Sequence, residues 1–168
     1  MTPDLHVQLG TRGQVHLEAR LATALPRAAV WERLLDFRDL VLKDPFHVQF
    51  HCDGPAQPGS PIRIVHGLWG TPLFERVGQI VHVEPGRVLV WSDLSARDRR
   101  RGFPHIYRYE LGDEPVGTTL TLQVHGRWTA TALPRPIIRA WLWGVLAAAH
   151  RRLRSALPPP DSEAPSTS

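Results

Sequence analysis

With 168 residues, 42% of them hydrophobic and 21% charged, the chain has the length and composition of one globular domain with a sizeable core. Its single cysteine, Cys52, excludes an intrachain disulfide and a cysteine-based zinc site, and its opening residues carry no apolar signal core, so the expected compartment is the cytoplasm. The net charge of +4 rests on 20 Lys+Arg, with Lys43 the only lysine, and this arginine-heavy usage reads as genome composition rather than as a nucleic-acid-binding surface.

Residues 1–13 are expected to be an N-terminal extension. From 14 to 22, Val15, Leu17, Ala19 and Leu21 alternate with polar residues, which predicts a half-buried strand. Pro26 suits a first helical turn, and Val30, Trp31, Leu34 and Leu35 have helical spacing. A break near Asp36 and a second short helix before Pro45 follow. Phe46, Val48, Phe50 and Cys52 alternate as a second strand, on which His47 and His51 form an outward row. After the Gly- and Pro-rich loop 53–61 come strands at 62–69 and 73–84, joined at Gly70-Thr71-Pro72, and a further strand at 87–95 after Pro85-Gly86. A basic loop at 97–102 precedes strands at 105–111 and 118–128.

The last helix, 134–157, is apolar in front and basic behind. Residues 137–149 are interrupted by Arg139 and fall short of the about 20 apolar residues of a membrane span, so no span is expected. Ile138, Leu142, Val145, Leu146, Ala149, Leu153 and Leu157 follow one helical face, with Trp141, Gly144, Ala148 and Arg152 as a neighbouring stripe. Two stripes imply packing against something wide, such as a curved sheet. The Pro-rich tail 158–168 is expected to be disordered. Strands joined by short turns make an antiparallel sheet, and the last helix is its only sizeable cover.

Three segments carry a family resemblance: LPRAAVWERLLDFRDL after the first strand, the strand-turn-strand GQIVHVEPGRVLVWS, and the amphipathic helix IIRAWLWGVLAAAHRRLRSAL. Over 14–157 the chain resembles the START-like, or SRPBCC, superfamily of polyketide cyclases/dehydratases and lipid-transport proteins, with the birch-pollen-allergen fold. The resemblance implies an α+β helix-grip fold. In it, a curved antiparallel sheet of about seven strands wraps a long C-terminal helix, with two short helices after the first strand. It also implies an apolar cavity between sheet and helix, and a monomer or homodimer; no cofactor is expected.

Strand alternation then suggests which residues face that cavity. The inward phases are Ile62, Ile64, His66 and Leu68; Leu73, Glu75, Val77, Gln79, Val81 and Val83; His105, Tyr107, Tyr109 and Leu111; and Leu120, Leu122 and Val124. The strand after Pro85-Gly86 has two registers. A two-residue turn faces Val88 and Val90 inward, whereas one extra loop residue faces Leu89, Trp91 and Asp93 inward. A hairpin symmetric about Arg99 pairs Trp91 with Tyr107 and Asp93 with His105, which favours the second. That register gathers His66, Glu75, Asp93 and His105 at one end of the sheet. There, His66/Glu75 and Asp93/His105 are either solvated rim contacts or carboxylate–imidazole pairs able to move protons. The expected ligand-binding set is Ile64, His66, Val77, Val81, Trp91, Tyr107, Tyr109, Leu122, Trp141 and Val145. None of the nine histidines has a His-x-x-x-His spacing on a helix, so no metal site is expected. The leading function is binding of a hydrophobic small molecule: a lipid, an aromatic polyketide-like compound or a quinone. The alternatives are a cyclase/dehydratase using the four polar residues, and an interaction module with a collapsed cavity and a basic partner-binding loop.

Overall fold

The computed structural model describes residues 5–68, 70–93, 103–128 and 133–160. Its elements are β1 (Leu5–Leu9), β2 (Gln14–Thr23), α1 (Arg27–Leu35), a 3-10 turn (Val41–Lys43), β3 (His47–Cys52), β4 (Pro61–Leu68), β5 (Thr71–Glu84), β6 (Val88–Ser92), β7 (His105–Asp113), β8 (Thr118–Arg127) and α2 (Arg135–Ala156). The strands form one antiparallel sheet in the order β1-β2-β8-β7-β6-β5-β4-β3. Every neighbouring pair except β2–β8 is consecutive in the chain. The segment holding α1 and the 3-10 turn carries the chain from β2 to the far edge at β3. The basic loop 97–102 and the tail from 161 onward lie outside the described residues.

The helix-grip architecture expected from the sequence is the one observed. α2 lies across β1 and β2, and Ile138, Leu142, Leu146, Ala149 and Leu153 on its inner face are buried. Each such leucine contributes roughly 1.5–3 kcal/mol by leaving water. No helix among the described residues is long and apolar enough to cross a membrane. Two elements differ from expectation. Leu5–Leu9, read as part of an extension, adds an eighth strand that buries Val7. The second short helix is a single 3-10 turn, closed when the Asp44 N–H donates to the Val41 carbonyl.

Facing is set by irregularities as much as by alternation. β5 carries a bulge at Val81, where Ile80 pairs with Trp91 but His82 pairs with Val90. The extra residue reverses the inward phase. Val83 keeps its expected inner side, but on the other side of the bulge Arg76 and Ile80 point in while Glu75, Val77 (49% exposed) and Val81 (43%) point out. The expected inward placement of Glu75, Val77, Gln79 and Val81 is therefore overturned. A second irregularity, between His47 and Gln49, buries His47 and leaves His51 exposed beside Asp53, 2.7 Å away. The two do not form the expected outward row. A third, between His66 and Gly67, pairs His66 with Phe74 rather than Glu75.

The strand of uncertain register takes the three-residue loop. Arg87 N–H donates to the Glu84 carbonyl, Glu84 pairs with Val88, and Gly86 adopts φ 72°. Leu89, Trp91 and Asp93 accordingly turn inward, and Trp91 stacks on its partner Tyr107 at 4.3 Å and 8°.

Gly78 lies on the inner phase of β5, where an added Cβ would stand 1.9 Å from the Ser92 carbonyl oxygen. Neither backbone can yield without breaking the β5–β6 ladder. Gly78→Ala should lower unfolding free energy by about 1–3 kcal/mol. Gly112→Ala, with nothing within 4 Å of its Cβ, should leave it unchanged within about 0.5 kcal/mol. Urea denaturation of the pair checks both.

Candidate functional site

A cavity of about 290 Å³ lies between the sheet and α2. One wall is the helix, through Trp141, Leu142, Val145, Leu146 and Ala149. The other is the sheet, through Leu17 of β2 and Leu122 and Val124 of β8. Phe46, Leu73, Phe74, Phe103 and Trp128 complete the apolar lining, and Trp141 is tilted against Phe46 and edge-on to Trp128. At one end the lining turns polar, with Asp44, His47, His66, Arg76, His105 and Tyr107.

This polar end is organised by two carboxylates. Asp93 is 0% exposed. Its Oδ2 accepts from Arg76 Nη1 at 2.9 Å, and its Oδ1 accepts from the His105 backbone N–H at 2.8 Å. His105 Nδ1 stands 3.5 Å from Oδ2 but donates to the Phe103 carbonyl at 2.6 Å, which leaves Nε2 with its lone pair. His66 Nε2 is 3.8 Å from Asp93 Oδ2, beyond hydrogen-bonding distance. Asp44, the second carboxylate, accepts the Tyr107 hydroxyl at 2.5 Å and the Phe46 backbone N–H at 2.8 Å. His47 packs among His66, Trp91 and Tyr107, with ring centroids 5.2–5.4 Å away.

No family model matches the sequence, and no curated protein matches it. Among solved structures, the di-domain ARO/CYC StfQ from the steffimycin biosynthetic pathway superposes with a TM-score of 0.62 at 13% identity, covering 86% of this chain and 50% of StfQ. Ara h 8.0201 gives 0.53 at 13% identity, covering 85% of this chain and 99% of that one. A protein from Rhodobacter sphaeroides gives 0.55 at 18% identity, covering 89% and 95%. The chain shares the helix-grip fold of these structures, a curved antiparallel sheet packed against a long C-terminal helix.

Within this helix-grip frame the expected site residues separate. His66, Tyr107, Leu122, Trp141 and Val145 line the cavity. Ile64, Trp91 and Tyr109 are buried behind it, in the core. Val77 and Val81 lie on the outer face, as does Glu75, which pairs with Val65 and is remote from the inward ring of His66. Asp93 and His105 meet as their pairing implies. The sequence reading missed Asp44, His47 and Arg76. Asp44-Pro45-Phe46 did carry a signal, since an Asp before a Pro commonly closes an Asx turn, as Asp44 does here. His47 and Arg76 carried none, because bulges decide their side.

Burial sets the protonation of the cluster. Loss of water lowers the His66 pKa to about 2, and nearby His47, His105 and Arg76 push the same way. Burial also lowers that of His105, against the opposing pull of Asp93 and the Phe103 carbonyl. Tyr107 and Tyr109 are raised well above their ordinary value, by burial first and then by Asp44. At neutral pH the His66 and His105 imidazoles are thus neutral and the Tyr107 and Tyr109 phenols protonated.

Two consequences are measurable. Removing Arg76 leaves Asp93 buried without its cation, so Arg76→Leu should cost about 3–5 kcal/mol in urea unfolding, with Arg76→Lys recovering part of it. The histidines set a pH dependence. The unfolded chain binds protons at His66 and His105 near pH 6.5 while the folded protein does not. Their stabilisation is complete above that pH and falls as pH drops below it, by about 1.4 kcal/mol per pH unit for His66, with His105 adding in the same direction. Unfolding free energies between pH 7 and 5 should show this slope, and His66→Gln should reduce it.

Proposed function

We propose that the chain binds a compact hydrophobic molecule of one or two rings between the sheet and α2. The observation that carries this reading is the apolar cavity with a single polar end. A cavity of about 150 Å³ accepts benzene, and this one is about 290 Å³. That size favours a bicyclic aromatic or quinone-like guest over a long-chain lipid. The guest's rings would lie against Trp141, Leu142 and Val145. Its polar group would meet the Tyr107 oxygen and the neutral imidazoles of His66 and His105, which accept or donate without the desolvation cost of a charge. The fold shared with an aromatase/cyclase, StfQ, is compatible with such a guest.

Binding is favoured over proton-transfer chemistry by the site's electrostatics. A general base works best with a pKa near the working pH, and His66 lies far below it. The His66/Glu75 pair of the cyclase alternative is also split across the sheet. The collapsed-cavity alternative needs the tryptophans to fill the space under α2. Trp143 is 53% exposed, and Trp128 and Trp141 line the space without closing it.

Titration with 2-naphthol, followed by tryptophan fluorescence, should saturate at one molecule per chain. Val145→Trp, which fills the cavity from the helix side, should weaken binding at least about tenfold, or 1.4 kcal/mol, with far-UV circular dichroism unchanged. A long-chain fatty acid should bind more weakly than naphthol. Absence of saturable binding, or naphthol affinity untouched by Val145→Trp, rejects the proposal.

A further inference from the structure

The polar end of the cavity holds a second feature that an apolar guest does not require. His47 on β3, His66 on β4 and His105 on β7 each offer one ring nitrogen, and these atoms all lie within 4.8 Å of one another. The three residues are 5%, 6% and 5% exposed. Both ring nitrogens of His47 and Nε2 of His105 have no hydrogen-bond partner, and the only hydrogen-bonding influence on His66 is the backbone at Ile64, outside the cluster. A buried polar group left unpaired ordinarily costs about 1–3 kcal/mol, and three rings that each turn one ring nitrogen to the same place ask for a common partner of those three lone pairs.

From this convergence we infer that His47, His66 and His105 form a binding site for a divalent transition metal of the zinc type. The chemistry of the donors fits. Three imidazoles suit zinc and its neighbours in the first transition row. On a tetrahedral ion, with Zn–N distances of about 2.0–2.1 Å, the nitrogens would stand about 3.3 Å apart, a contraction that side-chain rotation supplies. His105 is prepared for the role. Its Nδ1–H is held by the Phe103 carbonyl and flanked by Asp93, so Nε2 is the free donor, the usual outer support of a metal-bound histidine. The Asp44 and Asp93 carboxylates supply compensating negative charge near the ion, offset by one guanidinium from Arg76. Three protein ligands leave a fourth position, and the cavity lies in front of it. That position takes water or an oxygen donor of a bound molecule. The three histidines come from three strands, which is why no sequence spacing announces them.

The test uses the full chain, stripped by chelator, and zinc alone. The surface pair His16 and His125, whose Nδ1 atoms are 3.2 Å apart, is removed first as His16→Ala/His125→Ala, because it is a competing zinc binder. Calorimetric titration of this background should still give one zinc per chain. Single His47→Gln, His66→Gln and His105→Gln changes should each weaken it by more than about 100-fold. X-ray absorption at the zinc edge should count three imidazoles, a readout that stands even if a glutamine variant fails to fold. No zinc uptake by the background protein, uptake unaffected by His105→Gln, or fewer than three imidazoles at the edge overturns the inference. No organic ligand enters these measurements, so failure of naphthol binding leaves the metal site standing, and the reverse.

Discussion

The polar half of this molecule depends on the burial of one carboxylate, Asp93. A fully dehydrated carboxylate is tolerated only when paired and hydrogen-bonded, and Asp93 has both supports, from Arg76 on β5 and from the His105 backbone on β7. The contacts tie β5 to β7 across the end of β6. They also fix where His105 turns its ring. Arg76 can reach the carboxylate only because the bulge at Val81 places it on the inner side. One inserted residue thus decides whether the cavity has a cation, and Gly78 allows the two backbones to approach closely enough for the pair to form.

The same constraint explains what was legible in the sequence. Strands with uninterrupted alternation, such as β2, β7 and β8, show their inner faces directly: Leu17, Tyr107, Leu111, Leu120 and Leu122 are buried as their period of two requires. The long helix is legible because its apolar stripe is wide. β1 was not, because Leu5, Val7 and Leu9 make only a short pattern beside a loop. The facing of β5 was legible only beyond Val81. Alternation carries a phase along the strand, and a bulge reverses it without any mark in composition.

The site was legible in the same uneven way. The hairpin symmetry that pairs Trp91 with Tyr107 also brings Asp93 to His105, since both pairs rest on one register. Glu75 was assigned inward in place of its neighbour Arg76, which exchanged an apparent base for the actual counter-ion. His47 looked like part of an exposed row with His51 because both were counted on an unbroken strand. The irregularity between His47 and Gln49 separates them, one into the core and one into solvent.

The combination that results is unusual for a core. Apolar side chains of matching shape at 47, 66 and 105 would avoid every unpaired ring nitrogen, and replacing both members of a buried polar set by apolar groups is often neutral or stabilising. Native stability is only about 5–15 kcal/mol, so several unpaired buried groups form a large local deficit. Such a deficit persists where a bound species removes it. The apolar walls from α2, β2 and β8 favour an organic guest, while the imidazoles at the cavity's polar end favour something that accepts nitrogen lone pairs. A guest's polar group and a metal ion meet that second demand in different ways, but both must be reached through the same cavity. The fold therefore couples them: whatever occupies the imidazole end sets the polarity that a guest entering beneath Trp141 encounters.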